Sequence, residues 1–150
     1  DGKWQIVNSE SIATGASGSG VPFRSQSQTE LRRVLLMLTG PADMYLTSPE
    51  GTHEGFDHKT GNIVNEIEDA SYMPFALASG FKQLTVTNMA GTWELKVVGN
   101  ANGIYTLASR LINSGRVNSI ERSITAGTID RYILRYPTNV DEPLQVTLVK

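Results

Sequence analysis

A chain of 150 residues with 13 Lys and Arg against 15 Asp and Glu carries a formal charge of −2, and with a pI near 5.7 that balance points neither to nucleic acid nor to an anionic membrane surface. Apolar residues make up 39% of the chain, no run of them approaches the roughly eighteen needed to cross a bilayer, and the absence of cysteine excludes disulfides, thiolate zinc sites and a cysteine nucleophile. The length suits a single domain over residues 1–150 that buries about two thirds of its unfolded surface.

No signal peptide is visible, and the opening at Asp1 without Met reads as a processed or excised piece of something longer. Residues 3–7 (KWQIV) predict a first strand, with Trp4 and Ile6 on one face. Residues 8–22, rich in Ser, Gly and Ala, read as a flexible, linker-like loop. Residues 29–38 (TELRRVLLML) allow two readings. Ser27 and Glu30 have the spacing of a capping box, and Gly40-Pro41 would end a helix. The unbroken apolar run from Val34 to Leu38 equally suits a central strand buried on both faces. Strand is preferred, because the surrounding sequence is β in character.

Further strands are expected at 44–48, at 81–88 with Leu84 and Val86 inward, at 119–124, at 129–136 and at 144–149. Between the first two of these runs a polar excursion with its tip at 58–62. In the 91–107 stretch, GTWELKVVGNANGIYTL, Trp93, Leu95 and Val97 alternate with polar residues, Gly99 to Gly103 reverses the chain, and Tyr105 and Leu107 resume the alternation. That pattern predicts a β-hairpin whose apolar face a second sheet must cover. The expected fold is therefore all-β, an antiparallel sandwich of immunoglobulin-like or jelly-roll-like kind with about nine strands.

Residues 40–72 carry a dense phrase, with Pro41, Asp43, Pro49, Gly51, Gly55, Asp57, Thr60, Gly61, Asn65, Glu66, Ile67, Ala70 and Tyr72 at fixed spacings. A second phrase follows at Gly91, Trp93, Leu95, Val97, Gly99, Gly103, Tyr105 and Leu107. Together they resemble accessory β-sandwich domains of large secreted bacterial proteins, which are appended, often C-terminally, to von Willebrand A-type domains or extracellular hydrolases. Ser48 and Asp69 depart from that pattern, standing where it often has Asp and Gly. The resemblance implies a non-catalytic extracellular module, secreted or on the cell surface. Its partners would be other domains of a larger parent protein, a cell-surface protein or a polysaccharide.

Candidate chemistry concentrates between residues 50 and 69, where Glu50, Glu54, Asp57, Glu66, Glu68 and Asp69 stand against Lys59 alone, a local charge of −5. Clustered carboxylates are the hard oxygen ligands calcium prefers, so Asp57 and Glu66, with Asp69 next, are the candidate calcium ligands, and Ca2+ is the one cofactor in question. His53 and His58 lie in the same excursion, at a spacing that matches no compact metal motif. Carbohydrate binding would need exposed aromatics, for which Trp4, Tyr45, Phe56 and Tyr72 are the candidates, while Trp93 and Tyr105 fit inward positions. An enzyme would need paired carboxylates, for instance Glu54 or Asp57 with Glu66, about 5 to 9.5 Å apart, and no positioned nucleophile accompanies them. Arg110, Arg116, Arg122, Arg131 and Arg135 make residues 107–136 basic, which either orients the module against a parent domain or anionic polymer, or is the ordinary face of half-exposed strands. The sequence therefore favours a structural, anchoring or interaction module, with a carbohydrate-binding module of a secreted polysaccharide-active enzyme as the alternative.

Overall fold

Residue alternation decides which segments become strands here, and the connections decide which sheet each strand joins. The structure is a computed structural model that describes residues 32–74, 81–139 and 141–149. The expected strand with Trp4, the 8–22 stretch and Ser27 lie outside those residues. Eleven strands are present among the described residues, two more than expected: β1 (Val34–Thr39), β2 (Ala42–Thr47), β3 (His53–Asp57), β4 (Asn62–Asn65), β5 (Ala70–Pro74), β6 (Lys82–Val86), β7 (Thr92–Gly99), β8 (Gly103–Leu111), β9 (Val117–Ile124), β10 (Ile129–Arg135) and β11 (Gln145–Val149). They form a five-stranded sheet in the order β9-β8-β1-β6-β5 and a six-stranded sheet in the order β11-β10-β7-β2-β3-β4. All pairings are antiparallel. The fold is the antiparallel β-sandwich that the sequence predicts.

The apolar run at 34–38 is strand, and it is central, flanked by β8 and β6. Val34, Leu36 and Leu38 are fully buried, whereas Leu35 and Met37, on the outer face, are only half-buried. The expectation of burial on both faces thus holds for one face. Between the sheets, Leu46, Leu84, Leu95, Leu107 and Leu134 join these residues in one core, each contributing about 1.5 to 3 kcal/mol through removal from water.

The 91–107 stretch is not a hairpin. β7 lies in the six-stranded sheet and β8 in the five-stranded one, so residues 100–102 form an arch between sheets. Alternation reports that each strand buries one face, and a hairpin and an arch satisfy it equally. Neither Gly99 nor Gly103 has a positive φ. Their role is close approach: a Cβ on Gly99 would lie 2.2 Å from the Thr125 carbonyl oxygen, and one on Gly103 would lie 2.9 Å from the Pro41 ring. Arches at 40–41 and 125–128 stand at the same end, connecting β1 to β2 and β9 to β10 across the sandwich. The three are laced together by Asn100 N donating to Pro41 O, Gly99 N to Thr128 O and Gly127 N to Gly99 O, each at 2.9 Å.

The expected polar excursion is in fact the β3–β4 hairpin, which extends the six-stranded sheet to its edge. Its turn is set by Asp57, whose Oδ1 accepts from Lys59 N at 2.9 Å, and by Gly61 at φ +75°.

Two polar devices cross between the sheets. Tyr105 of β8 donates from Oη to Asp130 Oδ2 of β10 at 2.6 Å, and Tyr132 of β10 lies with its Oη 2.5 Å from that of Tyr105. Because the Tyr105 proton is committed to the carboxylate, the Tyr132 hydroxyl is the donor to Tyr105. Arg122 of β9 completes the set, its Nε 2.9 Å from Asp130 Oδ2. At the arch end, Lys82 of β6 reaches across to β2, with Nζ 2.7 Å from Ala42 O and 3.7 Å from Asp43 Oδ1.

Candidate interaction surface

In an antiparallel sandwich the outward residues follow from the register, because side chains opposite one another share a face. On the five-stranded sheet, one outward row runs Val117, Arg110, Leu35, Thr85, Ser71, and the next runs Ser119, Ala108, Met37, Gln83, Met73. A third holds Glu121, Thr106 and Thr39, and a fourth Ser123 and Ile104. Arg110 and Glu121 are the only charged side chains in these rows. Met73 at 47%, Val117 at 57% and Ile104 at 57% are strongly exposed.

The outer face of the six-stranded sheet is built differently. Its rows place Glu94 beside Thr47 and Ile133, Lys96 beside Tyr45 and Arg131, and Arg135 beside Thr92 and Gln145, with Asp43 and Asp57 at the far end. Arg131 Nη2 donates to Glu94 Oε2 at 2.6 Å across β10 and β7. Ile129 and Val149 are also exposed on this face, but charged side chains stand among them, as on a solvated sheet. The five-stranded face breaks that pattern, and charge depletion together with exposed Met and aliphatic side chains is the composition of the inner part of a protein interface.

At the end opposite the arches, residues 48–52, 66–69 and 87–90 enclose a cleft of about 410 Å³, lined by Glu50, Glu66, Glu68 and Asp69 with Trp93. Trp93 is 6% exposed and its Nε1 donates to Ala90 O at 2.7 Å, so the indole is committed to the core as expected. Of the candidate calcium ligands, Glu66 and Asp69 share this cleft, whereas Asp57 stands at the other end of β3, opposite Asn62. Four residues of strand, about 13 Å, separate the two ends. The Glu66 carboxylate accepts from His53 N at 3.0 Å. Among the described residues, no group of three or more acidic or histidine side chains is placed to hold a metal ion.

The aromatic candidates are likewise dispersed. Tyr72 is not an exposed platform: its ring is 7% exposed within the core, because β5 turns the position of Tyr72, opposite Leu84, inward. Phe56 packs half-buried against the same core. Among the described candidates Tyr45 alone faces outward, beside Gly55, with its ring stacked on His53 at 4.9 Å between centroids. Burial first, then the nearby carboxylates of Asp57 and Glu66, raises the pKa of its hydroxyl.

Glu54, a candidate for carboxylate chemistry, points into the sandwich and is fully buried. Its Oε1 accepts from Ile67 N at 3.4 Å, and its Oε2 has no partner. Burial raises its pKa, and the backbone amides of Ile67 and Tyr72 oppose that rise without cancelling it. Glu54 thus ties the β4–β5 crossover to the hairpin, while Glu66 lies out on the cleft. Sequence reasoning missed the five-stranded face. Its one visible signal was the apolar Leu35 and Met37 within the 34–38 run, which belong to a face that no second layer of the described residues covers.

No family model, curated protein or solved structure matches the chain.

Proposed function

We propose that the chain is a non-catalytic extracellular module that gives structural support, anchorage or protein contact within a larger secreted or cell-surface protein, and that it docks through the outer face of the five-stranded sheet. The observation that carries this reading is the contrast between the two outer faces: one is laced with charge, while the other presents only Arg110 and Glu121 among Leu35, Met37, Ala108 and Met73. Apolar surface of this kind is costly to leave in water and is repaid by a partner. The resemblance of residues 40–107 to accessory domains of large secreted bacterial proteins supports the same reading.

Because the chain has no cysteine, single thiols can report on each face. Ser119→Cys lies on the five-stranded face and Thr147→Cys on the six-stranded one, both at exposed positions. Thiol labelling is compared between the isolated chain and the longer secreted protein. The expected result is at least about tenfold slower labelling of Ser119→Cys in the longer protein with Thr147→Cys unchanged, as burial of a single patch requires. Equal rates at both positions in both contexts would remove the reading.

A carbohydrate-binding role is favoured by one observation, the outward Tyr45 with Lys96, Thr47 and Asp57 around it. Retardation of the chain in polysaccharide gels, lost on Tyr45→Ala, would support it. Unretarded migration across a panel of soluble glucans, mannans and xylans would exclude it.

A further inference from the structure

Resting on the docking role proposed above, we infer that the partner of the five-stranded face is a second copy of this chain, stacked face to face about a twofold axis that runs across the strands. The row Ser119, Ala108, Met37, Gln83, Met73 is the middle of the first three, with Arg110 in the row on one side of it and Glu121 in the row on the other. A twofold axis along the middle row sets Met37 and Met73 against their own counterparts. It also brings Arg110 of each copy over the row that carries Glu121 of the other. The two charges sit on neighbouring strands, so the lateral offset is about 4.8 Å, within reach of an arginine side chain. Self-complementarity of this kind is what an isologous interface demands, since each contact is made twice.

The charges themselves argue for a partner that supplies the opposite sign. Within one copy, Arg110 pairs across to Val117 and Glu121 to Thr106, four residues apart on β9 and about 13 Å from one another. Among the described residues neither has an ion-pair partner, whereas Arg116, Arg122 and Arg131 each have one. A heterologous partner needs to match both an apolar stripe and two separated charges of opposite sign. A second copy already carries both.

Size sets the strength. With the axis on the middle row, its five positions and the β9, β8 and β1 positions of the rows on either side overlap, and strands about 4.8 Å apart with rows about 6.6 Å apart give them roughly 350 Å² per copy. The total of about 700 Å² falls below that of a standard specific interface and in the range of weak, transient contacts. The dimer is therefore one that exchanges with monomer, and it becomes firm where several copies of the parent protein are held together.

The test is sedimentation equilibrium of the full 150-residue chain from micromolar concentration to about 1 mM, where even a weak complex is half formed. The expected result is a reversible monomer–dimer equilibrium that Arg110→Glu weakens at least about tenfold and that Arg110→Glu combined with Glu121→Arg restores. Both positions are exposed, and circular dichroism checks that each variant is folded. A chain that stays monomeric throughout overturns the self-association, and so does a dimer indifferent to Arg110→Glu or unrescued by the swap. If the monomeric chain nevertheless shows Ser119→Cys shielded in the longer protein, the face belongs to a different domain and the docking role stands without the second copy. An unshielded Ser119→Cys on a monomer removes both.

Discussion

Replacing Tyr105 by Phe removes one oxygen atom and breaks two bonds of unequal kind. Its Oη donates to the Asp130 carboxylate at 2.6 Å and accepts from Tyr132 Oη. The first is a hydrogen bond to a charged group, worth about 1.5 to 3 kcal/mol. Asp130 retains Arg122 Nε at 2.9 Å, so the lower part of that range applies. The second loss leaves the Tyr132 hydroxyl without an acceptor in a residue that is fully buried, and an orphaned buried donor costs about 1 to 3 kcal/mol. The total for Tyr105→Phe is about 3 kcal/mol. Tyr132→Phe removes only a neutral donor and leaves Tyr105 bonded to Asp130, a loss of about 1 kcal/mol. In the double variant no hydroxyl is stranded, so its cost is about 2 kcal/mol, below that of Tyr105→Phe alone. Urea unfolding at pH 7, followed by circular dichroism with m-values compared across the four proteins, measures all three numbers. Two outcomes would refute the reasoning: equal costs for the single variants, or a double variant whose cost is the sum of the two.

Other expectations follow from the buried polar groups and the arches. The Tyr72 hydroxyl is buried without a partner, so Tyr72→Phe should stabilise the chain by about 1 kcal/mol; a loss of stability in the same urea assay would show that the hydroxyl is bonded. Burial raises the pKa of Glu54 above its ordinary 4.5. The stability tied to its neutral form is therefore complete below about pH 4.5 and is lost as pH rises through the folded value. Glu54→Gln should flatten that decline, which unfolding midpoints between pH 4 and pH 8 will show. Burial, reinforced by Asp130 at Tyr105, also raises the pKa values of Tyr105 and Tyr132 above the ordinary 10.0, so the midpoint should hold up to about pH 10 and fall beyond it. Gly40 has φ +107°, and a Cβ there would stand 2.4 Å from Ile104 O; Gly40→Ala should cost at least about 3 kcal/mol in thermal or urea melts, whereas Gly51→Ala, strained but with open space around it, should cost about 1 kcal/mol.

The secondary structure was legible because period-two alternation is a local property. Val34, Leu36 and Leu38 inward, Leu84 and Val86 inward, and Tyr132 and Leu134 inward could all be read without knowing any partner strand, and the core residues Trp93 and Tyr105 came with them. Topology was not legible in the same way. The 91–107 pattern is the same whether β7 and β8 pair or arch apart. The choice is made by Gly99 and Gly103, whose missing side chains let residues 125 and 41 approach, contacts with segments far along the chain. Asp57, Glu66 and Asp69 are close in sequence, yet the β3–β4 hairpin sends Asp57 to one end of the sandwich and leaves Glu66 and Asp69 at the other. Tyr72 had the composition of an exposed platform and was turned inward by the register of an edge strand.

What the sequence determined by itself was the class of fold and the membership of its core, because burial alternation is written residue by residue. What only the tertiary structure decided was which surfaces those strands create. Leu35, Met37, Ala108 and Met73 come from three strands, none of which alone marks an interface. They become one charge-poor face because hydrogen-bonded pairing, a property of strand pairs rather than of single strands, lays them side by side.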